Sequence, residues 1–223
     1  LSRRQRQMCI RDSQNTDGEW IGFDADLAKE FAESLGVTVE FQLIDWDNKV
    51  MELDGKTIDV VWNGMTLTED VLAAMECSQP YLINQQVVVV PADVAEDYQT
   101  EESLADLNFA VEIGSAGCEV AQANGYSYTE VADQATALLE VASGTADAAI
   151  IDSLMAGAMI GEGTSYADMT STVALTSEEY GVGFRKGSDL AATLNEFLSG
   201  KYADGSIQTL AETYGVQDAL VQE

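Results

Sequence analysis

The 223-residue sequence contains no histidine, only ten lysines and arginines, three cysteines and two prolines. Lack of histidine removes the side chain that most often shuttles protons near neutral pH and most often ligates transition metals. The cysteines, Cys9, Cys77 and Cys118, are odd in number and form no CxxC, so neither a zinc site nor a disulfide framework is expected. The sequence thus calls for no metal and no cofactor. The most apolar stretch, Val87 to Pro91, is strand-sized and far short of the ~18 residues a membrane-spanning helix needs. With 39 acidic residues the net charge is -29, a field that repels nucleic acid and anionic membrane surfaces and otherwise describes a solvated exterior. The 46% hydrophobic content supports one large domain or two lobes of roughly 100 residues each.

Residues 1–13 differ from the rest. Arg3, Arg4, Arg6 and Arg11 fall there, in a segment without apolar periodicity, so four of the ten basic residues occupy thirteen positions. The string LSRRQRQMCIRDS resembles the translation of a sequencing adapter, and it is set outside the fold as a non-native segment. The natural first strand, and any secretion signal or lipid-anchor cysteine, are then expected to be absent.

The body alternates strand and helix. Leu27, Ala28, Phe31, Ala32 and Leu35 form a helical stripe ended by Gly36; Val37 to Ile44 alternates as a strand; Thr57 to Trp62 reads as a buried parallel strand. Thr68-Glu69-Asp70 is a capped helix start. Gln85 to Val90, Phe109 to Ile113 and Ala146 to Ile151 are further strands; helices are read at Glu119–Ala123, Ala135–Ser143, Ser153–Ile160, Leu190–Gly200 and Ser206–Tyr214. The class is α/β.

Six blocks resemble the bacterial extracellular solute-binding proteins of family 3: Gly22-Phe23-Asp24-Ala25-Asp26-Leu27-Ala28, Thr57-Ile58-Asp59-Val60, Asn63-Gly64-Met65-Thr66-Leu67-Thr68, Ser78-Gln79-Pro80-Tyr81, Ala146 to Asp152, and Tyr180 to Gly187. The resemblance implies a two-lobed, type II periplasmic-binding-protein-like fold: two parallel or mixed sheets flanked by helices and joined by two hinge strands, near Gln85 to Pro91 and Glu179 to Phe184. Residues 14–86 with 182–223 form the first lobe and 87–181 the second. It implies a monomeric, extracytoplasmic receptor, periplasmic or lipid-anchored, that closes on a small polar amino acid or amine and delivers it to an ABC permease. A signalling sensor module and an enzyme similar to cyclohexadienyl dehydratases are the alternatives on this fold.

An α-amino acid offers an ammonium, which needs an acid, and a carboxylate, which needs donors. Asp152 ends the apolar run Ala146 to Ile151, where α/β sheets present ligand contacts, and matches the family aspartate that pairs with the ammonium; by position alone it is equally a cap for the helix at Ser153. Two strand-to-helix turns offer backbone N–H groups: Asn63 to Thr68, with Asn63, Gly64 and Thr66, and Gly114 to Cys118, with Ser115 and Ala116. Capping and turn geometry account for these residues equally well. Trp46 is either a wall of the site or a core aromatic, and Met65 is core. The family's carboxylate-clamping arginine, three residues after Thr68, is here Val71.

Overall fold

The computed structural model describes residues 4–8, 13–14 and 19–222, with side chains described from residue 19 onward. In chain order the strands are β1 (Arg4–Met8), β2 (Ser13–Gln14), β3 (Trp20–Ile21), β4 (Thr38–Phe41), β5 (Val60–Thr66), β6 (Met75–Cys77), β7 (Leu82–Asn84), β8 (Gln86–Pro91), β9 (Asn108–Glu112), β10 (Ser127–Val131), β11 (Ala148–Asp152), β12 (Met169–Ala174) and β13 (Glu178–Arg185). The helices are α1 (Phe23–Ser34), α2 (Lys49–Asp54), α3 (Glu69–Ala74), α4 (Ala116–Asn124), α5 (Gln134–Ser143), α6 (Ser153–Met159), α7 (Leu190–Ala203) and α8 (Ser206–Tyr214).

The chain divides into unit 1, residues 1–83 and 179–223, and unit 2, residues 84–178. The two crossings fall inside β7 and β13, a few residues before the positions read from the sequence.

Unit 1 carries the sheet β4-β1-β5-β13-β6, parallel across β4, β1 and β5 and antiparallel at β13, with β7 paired to β13. The segment 1–13, set outside the fold from the sequence, includes Arg4–Met8, which forms β1 between β4 and β5, with Arg4 opposite Thr38 and Gln7 opposite Val60. Parallel neighbours on both sides leave a gap there, and an extended backbone of any sequence can donate the ladder bonds that fill it. The expectation for Cys9 lies outside the described residues.

Each face of the unit 1 sheet is covered. On one side α1 buries Leu27, Ala28 and Phe31, the stripe visible in the sequence, and the Phe31 ring lies 6.0 Å from Trp62 and 5.4 Å from Phe197. On the other, Trp46, Leu53, Ile58, Val61, Met65, Val71 and Met75 form one apolar cluster. Each of these larger side chains contributes about 1.5–3 kcal/mol by leaving water.

Unit 2 carries the sheet β10-β9-β11-β8-β12, parallel across the first three strands and antiparallel at β8 and β12. In β8, Val87 and Val89 enter one core cluster while Val88 and Val90 enter the other, so a continuous apolar run serves both faces. In β11, Ala149 and Ile151 divide from Ala148 and Ile150 in the same way. The charge divides between the units as well: all ten basic residues belong to unit 1, and unit 2 has sixteen acidic residues and no lysine, arginine or histidine.

Candidate functional site

In unit 2, Asp152 is the last residue of β11 and is 3% exposed. It occupies the cap position of α6 but makes no side-chain capping bond, so the capping alternative is not realised. Its carboxylate is instead held by amides. Oδ1 accepts from Asn84 Nδ2 at 2.7 Å and Gln86 Nε2 at 2.6 Å, and Oδ2 accepts from Gln134 Nε2. Gln134 Oε1 also accepts the Asp152 backbone N–H at 3.1 Å, which fixes the residue from both ends. The same two amides reach a second acid: Asn84 and Gln86 donate to Glu178 Oε1 at 2.7 and 2.6 Å. Asp152 and Gln86 are direct cross-strand partners in the antiparallel pair β11·β8, so the arrangement follows from register.

The turn between β9 and α4 lies in the same unit. Ser115 caps α4, its Oγ accepting from Cys118 N at 3.2 Å and donating to Glu112 O at 2.7 Å, so both hydroxyl functions are spent within the turn. What the turn offers outward is backbone: N–H groups of the first helical turn, at Ala116 and Gly117, have no acceptor within their own helix. Gly117 is needed here, since a Cβ would lie 2.9 Å from Ile150 O and 3.0 Å from Gln86 Oε1. Cys118, in the same turn, is buried beside Glu130, and desolvation followed by that carboxylate pushes its thiol pKa up.

In unit 1 the Asn63 to Thr68 turn is organised around Asp24. This buried carboxylate in the first turn of α1 accepts from Gly64 N at 2.9 Å and from Tyr81 OH at 2.7 Å. Three sequence blocks, GFD, NGMT and SQPY, thereby meet at one side chain. The fourth, YGVGF, joins through Ser78, whose Oγ accepts from Val182 N at 3.0 Å, and through Tyr81 N donating to Tyr180 O at 3.0 Å. Gly64 was read as a backbone donor for a ligand; its N–H is engaged by Asp24, and the residue's contribution is a left-handed φ of 53° that turns the strand. Thr66 is half-buried at the end of β5, paired opposite Tyr180. Asn63 is 2% exposed and its Oδ1 has no hydrogen-bond partner among the described residues.

Trp46 and Val71 both lie in the apolar cluster of unit 1, 9% and 7% exposed, and Met65 is fully buried beside them. Thr68 caps α3 by accepting from Val71 N at 3.3 Å, as the sequence reads. The Lys49 ammonium lies 4.9 Å over the Trp46 ring. Asp24, Asn84, Gln86, Gln134 and Glu178 were not singled out from the sequence. Asp24 stood in a resembling block with no role assigned to it, while the others become neighbours of Asp152 only through strand register.

Among the described residues no group of three or more acidic or cysteine side chains is placed to hold a metal ion, and no helix is long and apolar enough to cross a membrane. The family model for bacterial extracellular solute-binding proteins, family 3, matches residues 11–217. The chain is 28% identical over 204 residues to the L-cystine-binding protein of Escherichia coli, covering 90% of this chain and 76% of that one. It is 29% identical over 203 residues to the arginine-binding extracellular protein of Bacillus subtilis, at 87% and 77% coverage. Among solved structures, a mutant of ArgBP from T. maritima superposes with a TM-score of 0.85 at 32% identity, covering 95% of this chain and 94% of that one. An ancestral amino acid-binding protein described as a precursor of cyclohexadienyl dehydratase gives 0.85 at 30% identity, each chain 95% covered. The six blocks, the two-unit topology and these matches agree: the chain belongs to the bacterial extracellular solute-binding proteins, family 3.

Proposed function

We propose that the chain captures a small polar amino acid or related amine and, as a monomer outside the cytoplasmic membrane, passes it to an ABC permease. The observation that carries this reading is Asp152, a carboxylate buried at the C-terminal end of a central strand, held by neutral amides in a unit without one basic residue. Such a carboxylate gains from an incoming ammonium, because neutral amides satisfy its lone pairs without compensating its charge, and a cation at hydrogen-bond distance does both. The ligand's carboxylate, if it has one, is met by the backbone N–H groups at Ala116 and Gly117, in the turn that Ser115 caps, where the helix end favours an anion by about 0.3–1 kcal/mol.

Asn63 and Thr66 are carried in the proposal as polar ligand contacts of unit 1. Gly64 sets the turn that presents them, and Trp46 and Val71 support that turn from the apolar side. With valine in place of the family's arginine, the carboxylate loses its bidentate cation, so the ligand's amine decides recognition more than its acid does. The relatives and neighbours are named for cystine, arginine and histidine, three α-amino acids that differ in side chain and share the ammonium.

The test is a thermal-shift screen of the twenty amino acids, cystine and simple amines. A ligand at 100 times its Kd adds about 2.7 kcal/mol of stability, which displaces the melting curve by several degrees. We read the chain as a binder and not an enzyme; turnover of prephenate or arogenate is the measurement that reverses this.

A further inference from the structure

Gln86 is 1% exposed, and all but one of its polar atoms are satisfied inside unit 2. Its backbone N–H donates to Thr176 Oγ1 at 3.1 Å, its carbonyl accepts from Leu175 N at 2.8 Å, and its Nε2 donates to both Asp152 and Glu178. The exception is Oε1, which is buried and has no partner among the described residues. A buried carbonyl without a donor costs ~1–3 kcal/mol, so such an atom calls for an occupant. The side chain cannot simply be turned over, since that would set an oxygen against two carboxylates.

The location of the atom limits what the occupant is. Asp152 Oδ1 lies 2.6 Å from Gln86 Nε2. Amide geometry then puts Gln86 Oε1 within about 5 Å of that carboxylate oxygen. Gln86 Oε1 also lies against Gly117 in the first turn of α4, where a Cβ would come to 3.0 Å of it. It therefore stands between the acid that takes an ammonium and the helix start that takes a carboxylate, the two ends of one α-amino acid.

We infer that Gln86 is a specificity-determining ligand contact: its side-chain carbonyl accepts one N–H of the ligand's ammonium, beside Asp152. The inference rests on the amino-acid reading above and adds a requirement to it, namely that the ammonium keep at least one proton beyond those Asp152 takes. Primary α-amines satisfy this fully, and N-alkylated ones lose a donor for each substituent.

The tightest binder from the thermal-shift screen and its Nα-methyl derivative are titrated calorimetrically into the full chain and its Gln86→Met variant. Methionine matches the length and replaces the carbonyl with a thioether, a weak acceptor. Losing the Gln86 donors to Asp152 weakens both compounds alike and cancels in the ratio. The expected result is that methylation weakens binding about tenfold or more in the parent chain and less than about threefold in Gln86→Met. An equal methylation penalty in both proteins overturns the inference and leaves the amino-acid reading standing, and that reading is tested separately by loss of binding in Asp152→Asn. If no amino acid binds the parent chain, both fall together. Should Gln86→Met fail to fold, a crystal structure of the parent chain with its ligand decides: an ammonium nitrogen within hydrogen-bond distance of Gln86 Oε1 supports the contact, and a water or nothing in that place refutes it.

Discussion

Two buried aspartates, one in each unit, are treated by the fold in opposite ways. Asp24 in unit 1 is bound by a backbone N–H and a tyrosine hydroxyl, groups fixed by the turn and the core around them. Asp152 in unit 2 is bound by the ends of three amide side chains, and two of those amides are shared with Glu178. Both are nearly inaccessible and both accept several hydrogen bonds. Burial and bond count therefore do not separate Asp24 from the acid proposed to meet the ligand. The kind of donor differs: a backbone N–H and a core hydroxyl hold Asp24, whereas neutral side-chain amides alone hold the Asp152 carboxylate in the bonds described above.

The contrast makes its largest prediction for Asp24. Asp24→Ala leaves the Gly64 N–H and the Tyr81 hydroxyl unsatisfied and unties three sequence blocks, so unfolding in urea should show a loss of about 3 kcal/mol. A loss below ~1 kcal/mol would mean that the knot is ornamental. Asp152→Asn should weigh more on binding than on folding, costing less stability in urea than Asp24→Ala because one oxygen still accepts from its amide donors, and weakening an amine ligand by about 1.5–3 kcal/mol in calorimetry. If instead the midpoint drops as far as in Asp24→Ala and affinity holds, Asp152 belongs with Asp24 and the proposed site is misplaced.

Glycines sharpen the same comparison. A Cβ at Gly117 in unit 2 meets the Ile150 backbone carbonyl, which cannot yield, and Gly117→Ala should cost about 1–3 kcal/mol. A Cβ at Gly183 in unit 1 meets the thioether ends of Met75 and Met65, which adapt, so Gly183→Ala should cost less, about 1 kcal/mol. Parallel melting curves for the pair check the ranking; the reverse order would mean that the α4 start tolerates displacement.

The smallest effect concerns the thiols. Burial pushes the Cys77 pKa up to about 11, against a partial lowering by Lys186, so iodoacetamide should modify it slowly at pH 8 and faster as the pH climbs toward 11. Cys118 is raised by burial and by Glu130, with no basic residue of its own unit to oppose them. Mass spectrometry of the native protein at graded pH reads both; rapid labelling of either at pH 7 contradicts its assignment.

The periodicity of the sequence carried most of the fold. The stripe in α1 and the run Val87 to Val90 were legible because one chain direction faces a continuous core. β10 was not, because Ser127-Tyr128-Thr129-Glu130-Val131 is an edge strand with little buried surface and a polar composition to match. β6 and β7, three residues each, were too short to show a period. Within the candidate site Asp152 could be read from its place after an apolar run. Its neighbours could not, since a shift of one residue in the β8·β11 pairing would send Gln86 to the other face of the sheet. Gly64 shows the opposite error: its place in a motif was read correctly, and its N–H was assigned outward although Asp24, forty positions earlier, already holds it.

The absence of cations from unit 2 also governs how the protein meets proteases. An enzyme that cleaves after lysine or arginine finds no site between Lys56 and Arg185, so Thr57 to Arg185, the whole of unit 2 included, leaves a tryptic digest as a single peptide. Limited trypsinolysis thus reports on the opening of unit 1 alone, whereas an enzyme that cleaves at acidic residues samples both units. In surroundings rich in trypsin-like activity, the part of the chain that carries Asp152 has no bond for them to cut.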